Sequence, residues 1–329
     1  MSMIKRRDLL ALAVTALSPL APRCVLAQSR YPERPVRLVI PFPPGGVFDA
    51  VGRPWAEKMK ALLGTVVIEN QGGAGGALGA AAVARAEPDG YTILLGGPAT
   101  NVINATAVSR PRYDPKDLEP VSLLGSNAYS IAVTPAFPAR TLKELVDLAR
   151  SQPGKLSYGS SGVGSLNHLT GEVFKSLAGN LDIAHVPYRG AGPAMTDLIS
   201  GQIPMAVASV TGQVIELHRS GKLRVLAVTS ANRLAAAPEL PTTAEAGLPG
   251  VDTEQFIGLF APTGTSKAII AQIAEATRAA MADRDYQQRL IASGFDPYPD
   301  SSPEKMRQVV EAEFAHWTPV IKAIGLKLD

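Results

Sequence analysis

Phe42-Pro-Pro-Gly-Gly46 and Ser160-Ser-Gly-Val-Gly-Ser165 are the two segments of this chain whose residue types suit the capture of an anion. Each follows an apolar run, Val36 to Pro41 in the first case and Leu156 to Gly159 in the second, and each runs into a helical pattern. A glycine-rich turn between a strand and a helix leaves backbone N–H groups without intrahelical partners. Those groups sit at the positive end of the helix dipole, so the turn holds a carboxylate or phosphate without a cationic side chain. Two such turns, each opening its own α/β unit, predict two lobes that close on one anionic ligand.

Other chemistry-bearing patterns are weaker. Gly72-Gly-Ala-Gly-Gly-Ala-Leu-Gly79 does not fit G-x-G-x-x-G, because Leu78 stands where the third glycine belongs. It is read as a close-packed strand-to-helix turn. There is no G-x-x-x-x-G-K-[ST] phosphate loop and no G-x-S-x-G elbow. The histidines are His168, His185, His218 and His316, and no pair has metal-ligand spacing. His168 falls in the first turns of the helix after the second anion turn, either bonding the loop backbone or touching ligand. A hydrolytic triad built on Ser160, Ser161 or Ser165 with His168 has no supporting spacing. Asp49 opens the first helix, either capping it or anchoring a ligand group.

The elements that must position these turns alternate. The first lobe reads as β 36–41, α 49–63, β 65–69, α 76–86 and β 91–95. Alternating strands and helices imply a mostly parallel sheet with right-handed crossovers. Residues 97–120 read mostly as loop, and 121–124 and 129–133 as strands that cross between lobes. Thr141 and Glu144 form a capping box for the next helix. The second lobe repeats the order: strand 155–159, helix 165–178, strand 183–187, a helix near 192–200, strand 203–208, a helix near 212–220 and strand 223–228. The final hundred residues carry helices 267–282 and 303–322, expected to pack on lobe one.

Length and a 46% hydrophobic composition suit one or two globular domains. The formal charge of +3 is concentrated in residues 1–27, where Lys5, Arg6, Arg7 and Arg23 face Asp8. The remainder holds 28 basic and 28 acidic residues, which points away from nucleic acid. The charged start, the apolar Leu9 to Leu20 and the ending Val25-Leu26-Ala27 read as an export signal cut after Ala27. Arg6-Arg7 leaves the general and twin-arginine routes open. The one cysteine, Cys24, lies in that leader, so the mature chain has no thiol chemistry. No later stretch suits a membrane span, so a periplasmic soluble protein is expected.

The chain resembles the Bug-type extracytoplasmic solute-binding receptors of tripartite tricarboxylate transporters. The resemblance rests on Tyr31 to Gly46 with Asp49, Val67-Ile-Glu-Asn70 with Gly75-Gly76, Pro88-Asp-Gly-Tyr-Thr92 and Tyr113-Asp-Pro115. It continues through Pro153 to Gly159, His185-Val-Pro-Tyr-Arg-Gly190, Asp197-Leu with Gly201-Gln202, Ala227-Val-Thr-Ser230 and Pro241-Thr with Glu245 to Pro249. These stretches span nearly all of the mature chain, in order. The resemblance implies an α/β two-lobe periplasmic binding protein of type II, a Venus flytrap, with each lobe a mostly parallel sheet flanked by helices. Lobe 1 is assigned to 28–126 and 228–329, and lobe 2 to 127–227.

Carried onto this chain, the family's carboxylate contacts are Phe42, Gly45, Gly46 and Asp49 from lobe 1. From lobe 2 they are Ser160, Ser161, Gly164, Ser165 and His168. Val47, Phe48, Thr100, Ala191 and Ala208 complete the candidate set. Relatives often carry Ser or Thr where Val47 and Phe48 stand, and an Asp where Ala208 stands. Both departures favour a carboxylate with an apolar or aromatic body over an amino acid. The implied protein is a monomer and not an enzyme, takes no cofactor or metal, and hands its ligand to membrane transporter subunits. A sensor subunit presenting its ligand to a signalling protein, and a periplasmic hydrolase using a loop serine, are the competing readings.

Overall fold

The computed structural model describes residues 31–328, so the expected leader 1–27 lies outside the described residues. β1 (Val36–Ile40) is almost wholly buried, as a strand covered on both faces must be. It pairs in parallel with β2 (Val66–Asn70) and β3 (Thr92–Gly96). α1 (Val47–Leu62) and α2 (Ala77–Ala84) make the crossovers. A π-helical turn, Ala99–Ile103, and α3 (Asn104–Ala107) occupy the segment expected to be loop.

β4 (Leu118–Val133) is one continuous strand rather than the two expected from sequence. Gly125-Ser126-Asn127 read as a break, but Asn127 is buried and its Nδ2 donates to Val210 O and Gly294 O, both at 2.7 Å. The strand belongs to two sheets in turn. Leu118–Ala128 pairs antiparallel with β9 (Glu254–Pro262), and Tyr129–Val133 with β7 (Met205–Ser209). Register shifts between Pro120 and Ser122 and between Leu123 and Gly125 bend it on the way.

The second sheet is built on β5 (Leu156–Ser160), parallel to both β6 (Ile183–Pro187) and β7. α4 (Leu142–Ser151), α5 (Leu166–Leu177), α6 (Ala191–Ser200) and α7 (Gly212–Arg219) flank it, and β8 (Arg224–Val228) pairs with β4. Thr141 caps α4 by accepting the Glu144 N–H, while the Glu144 carboxylate accepts from Arg140 N–H rather than closing the box on Thr141. Through β4 the two sheets share the strand order β2-β1-β3-β9-β4-β7-β5-β6. That is the two-lobe α/β architecture of a periplasmic binding protein.

The C-terminal third holds the two helices expected from sequence and, besides them, strands and a helix that the sequence did not predict. β9 inserts between β3 and β4, so the first sheet takes strands from both the N-terminal and the C-terminal part of the chain. α8 (Lys267–Met281) packs on α1, where Trp55 Nε1 donates to Thr277 Oγ1 at 3.2 Å. α9 (Arg284–Ala292) and the short β10 (Asp296–Pro297) follow. α10 (Pro303–Ala323) serves both lobes. Its Met306 clusters with Val39, Leu94 and Phe260, whereas Trp317 and Ile321 cluster with Leu166, Leu169 and Phe174.

Candidate functional site

Both anion turns open into one cleft of about 1800 Å³. The first turn reaches it through the start of α1. Gly46 is the N-cap and has no side chain to fill the role. The N–H groups of Gly46, Val47 and Phe48 have no partner among the described residues, and all three residues line the cleft. The turn is shaped from behind. Gly45 is left-handed, with φ of 80°, and its N–H donates to Asp49 Oδ2 at 2.9 Å. Arg53 Nε donates to the same oxygen at 2.7 Å, and Asn70 Nδ2 reaches the other at 3.2 Å and Phe42 O at 3.0 Å. Burial alone would raise the Asp49 pKa, but the bonds from Arg53, Gly45 and Asn70 outweigh it and hold the carboxyl below its ordinary value. Asp49 therefore organises the turn and does not reach the cleft.

The second turn has the same division of labour. Ser165 is the N-cap of α5: its Oγ accepts the His168 N–H at 3.2 Å and donates to Gly162 O at 2.7 Å. The His168 ring folds under the turn, and its Nδ1 accepts the Gly164 N–H at 3.2 Å. His168 stacks on His185, centroids 4.1 Å apart, and His185 stacks on Tyr158. Desolvation lowers the pKa of both imidazoles, and the neighbouring His168 adds to the effect on His185, which falls to about 4. The N–H groups of Ser161, Val163, Leu166 and Asn167 are left without partners among the described residues, and these residues line the cleft. Ser161 Oγ donates to Asn167 Oδ1 at 2.7 Å, which fixes the asparagine against Val207 O.

Of the candidate residues, Phe42, Gly45, Gly46, Val47, Phe48, Ser161, Gly164, Ser165, Ala191 and Ala208 line the cleft. Asp49, Thr100, Ser160 and His168 do not, and each is engaged elsewhere. Thr100 is fully buried, with its Oγ1 bonded to Gly97 and Asn101. Ser160 Oγ lies 2.7 Å from His185 Nε2 and accepts the Gly162 N–H at 3.1 Å. Ser165 lines the cleft, but its hydroxyl is engaged as a cap. Phe48 keeps only 4% of its surface exposed, packed on Phe42 with centroids 4.5 Å apart. The half-buried Phe42 is the ring more open to the cleft.

The cleft also takes in residues that sequence reasoning passed over. The turn Gly73 to Ala77 before α2 is a third glycine-rich entry to a helix, and it lines the cleft rather than serving packing alone. Its strand–turn–helix context was the signal available. On the floor, Tyr129 OH donates to Gln255 Oε1 at 3.0 Å. Asn104, Arg110 and Arg112 enter from the segment around α3. Among the described residues, no Asp or Glu lines the cleft.

Ser160 and His185 are paired, but Ser160 is 1% exposed and His185 is a weak base at a pKa of about 4. Among the described residues no cluster of three metal-ligating side chains occurs. No described helix is long and apolar enough to cross a membrane.

A family profile described as "Tripartite tricarboxylate transporter family receptor" matches residues 51–326. Protein BugT of Bordetella pertussis is 32% identical over 301 residues, covering 91% of each chain. A structure from R. palustris with adipate superposes with a TM-score of 0.82 at 34% identity, covering 90% of this chain and 99% of the other. MatC from Rhodopseudomonas palustris with bound malate gives 0.78 at 32% identity, covering 88% and 100%.

Proposed function

Because the chain belongs to the tripartite tricarboxylate transporter receptor family, we propose that it captures a small carboxylate in its cleft and delivers it to the membrane subunits of such a transporter. The observation that carries this reading is the set of backbone N–H groups at the starts of α1 and α5 that find no partner among the described residues, both opening into one cleft that no acidic side chain of the described residues lines. Backbone amides at helix N-termini hold an anion without a bound counterion. The adipate and malate carried by two structural neighbours fit the same chemistry.

The reading includes the lobes, taken as 28–126 with 228–329 and 127–227, with closure about the strand segment where β4 changes partner between Ala128 and Tyr129. It also includes periplasmic residence after cleavage at Ala27, which N-terminal sequencing of the exported protein would test.

The ligand body is apolar. Val47, Phe42 and the edge of Phe48 flank the first turn, and Ala208 offers no partner to an ammonium group. Burying an unpaired ammonium is costly, which disfavours amino acids. A thermal-shift screen tests this reading. Ligand at about 100 times its Kd stabilises a one-site protein by roughly 2.7 kcal/mol. Apolar-bodied carboxylates are expected to raise the melting temperature. Shifts from aspartate, glutamate or citrate alone would refute the assignment.

A further inference from the structure

We infer that Leu328 sets the size of ligand body that the cleft accepts: its side chain, brought against the second anion turn by the segment after α10, is the wall beside which a bound acid must lie. The inference rests on the receptor reading above and adds a specificity-determining residue to it.

The segment is aimed at the cleft by the way α10 stops. Ile324 is the C-cap, and Gly325 after it is left-handed, with φ of 63°. The Gly325 N–H donates to Lys322 O and the Leu326 N–H to Ile321 O, both at 3.2 Å. That pair of bonds reverses the chain at a helix end and lays the residue after the glycine back on the last turn. Leu326 accordingly packs against the cluster that holds Ile321, Trp317 and Leu166. Two residues on, the Leu328 N–H donates to Ala107 O at 2.8 Å, which ties the segment to the end of α3.

The side chain positioned by this bond is half-buried and lines the cleft. It lies directly on Gly164. A Cβ built there would stand 2.5 Å from Leu328 Cδ2 and 2.6 Å from Cδ1, so the two residues meet with no room between them. Gly164 belongs to the second anion turn, and its N–H is the one that His168 Nδ1 accepts from the other side. The turn is therefore clamped between an imidazole and two methyl groups. Val108, next to Ala107, and Val163, next to Gly164, line the cleft as well.

A carboxylate on the free N–H groups of that turn sets the first carbons of its body beside this wall. Leucine methyls offer a ligand no polar partner, so they discriminate by shape alone. A body that fits gains close contact, and one that is too large is excluded by overlap.

Calorimetric titration of the full chain tests this in the wild type, Leu328→Ala and Leu328→Phe. The probes are the straight-chain monocarboxylates from butyrate to octanoate and the dicarboxylates from succinate to suberate. Within a series that the wild type binds, affinity is expected to pass through a maximum as the acid lengthens. Leu328→Ala should move that maximum to a longer acid, with a gain of about fourfold for each CH₂ newly buried. Leu328→Phe should move it to a shorter one. A purely structural role would weaken every acid by one common factor, so the position of the maximum reads specificity apart from stability. A wild-type profile without a maximum, or maxima at the same length in wild type and variants, overturns the inference and leaves the receptor reading intact. Absence of binding to either series in the wild type removes the receptor reading itself, and the inference with it.

Discussion

The Nδ1 of His168 accepts the backbone N–H of Gly164, so the second anion turn rests on a histidine that must stay unprotonated at that nitrogen. His168 in turn stacks on His185, whose Nε2 meets Ser160 Oγ. The floor of a ligand turn is thus built from two neutral imidazoles. Its first consequence concerns acid.

Both imidazoles have folded pKa values below the ordinary 6.5, His185 at about 4. A lowered histidine pKa means that the unfolded chain binds more protons in this window. The contribution is complete above about pH 6.5 and is lost as pH falls toward about 4. His185→Gln should therefore show a shallower loss of stability than wild type between those values. Denaturant titrations of both proteins across the window check this; parallel curves would contradict it.

Two half-buried carboxyls act in the opposite direction. Burial raises Glu313 and Glu254 to about 7, with neighbouring acidic groups adding to the effect. Raised carboxyl values give stability that is complete below about pH 4.5 and lost as pH rises through about 7. Glu313→Gln keeps an acceptor for Trp317 Nε1, which donates to Glu313 Oε2 at 2.8 Å. That variant should gain stability relative to wild type as pH rises from about 4.5 to 7, by the same titrations.

Gly46 caps α1 with no side chain, and its φ of −83° suits any residue. A Cβ there would meet only Pro43 O at 3.5 Å, an ordinary contact. Gly46→Ser should stabilise the helix by a few tenths of a kcal/mol, about the difference between Ser and Gly caps. Its hydroxyl would then occupy the amides offered to ligand. Calorimetry should find weaker carboxylate binding in a protein that melts no lower; unchanged affinity would place the ligand elsewhere.

Ser165→Ala removes a cap and should cost about 1 kcal/mol of stability. Ser165→Asp is the sharper variant, because Asp caps as well as Ser but sets a negative charge beside the proposed anion. It keeps the bond from the His168 N–H but cannot donate to Gly162 O, so it should lose about 1 kcal/mol of stability and most carboxylate affinity. A variant that binds normally would show that the α5 turn does not face the ligand.

Asp49→Ala leaves the Gly45 N–H and Arg53 without their buried acceptor. A cost on the order of 1–3 kcal/mol is expected. Binding should weaken with it, since the bonds to Asp49 shape the Phe42–Gly46 turn. Urea denaturation and calorimetry on the same preparation check both.

The turns themselves were legible in the chain because strand, glycine turn and helix follow one another without interruption. The roles of their side chains were not. Whether Ser165 faces ligand or caps its own helix depends on where Gly162 O lies, and whether Asp49 reaches the cleft depends on Arg53 and Asn70. Those are matters of loop geometry that residue spacing does not encode. β9 escaped notice because Glu254–Pro262 is an apolar run with no alternation. β4 looked broken because its buried Asn127 is a turn-former by type. The Ala74–Gly76 turn was legible as a close-packed strand-to-helix turn, but not its place on the cleft wall.

The place of β9 also sets a timetable for synthesis. Leu94 of β3 finds its sheet neighbour in Phe260, and β4 leans on the same late strand along most of its length. As the chain emerges, the β5–β8 unit has all of its strands while the first sheet still lacks its centre. Until β9 arrives, β3 and half of β4 present open edges, the kind of surface on which nascent chains aggregate. A chain stopped short of Glu254 would keep those edges exposed indefinitely.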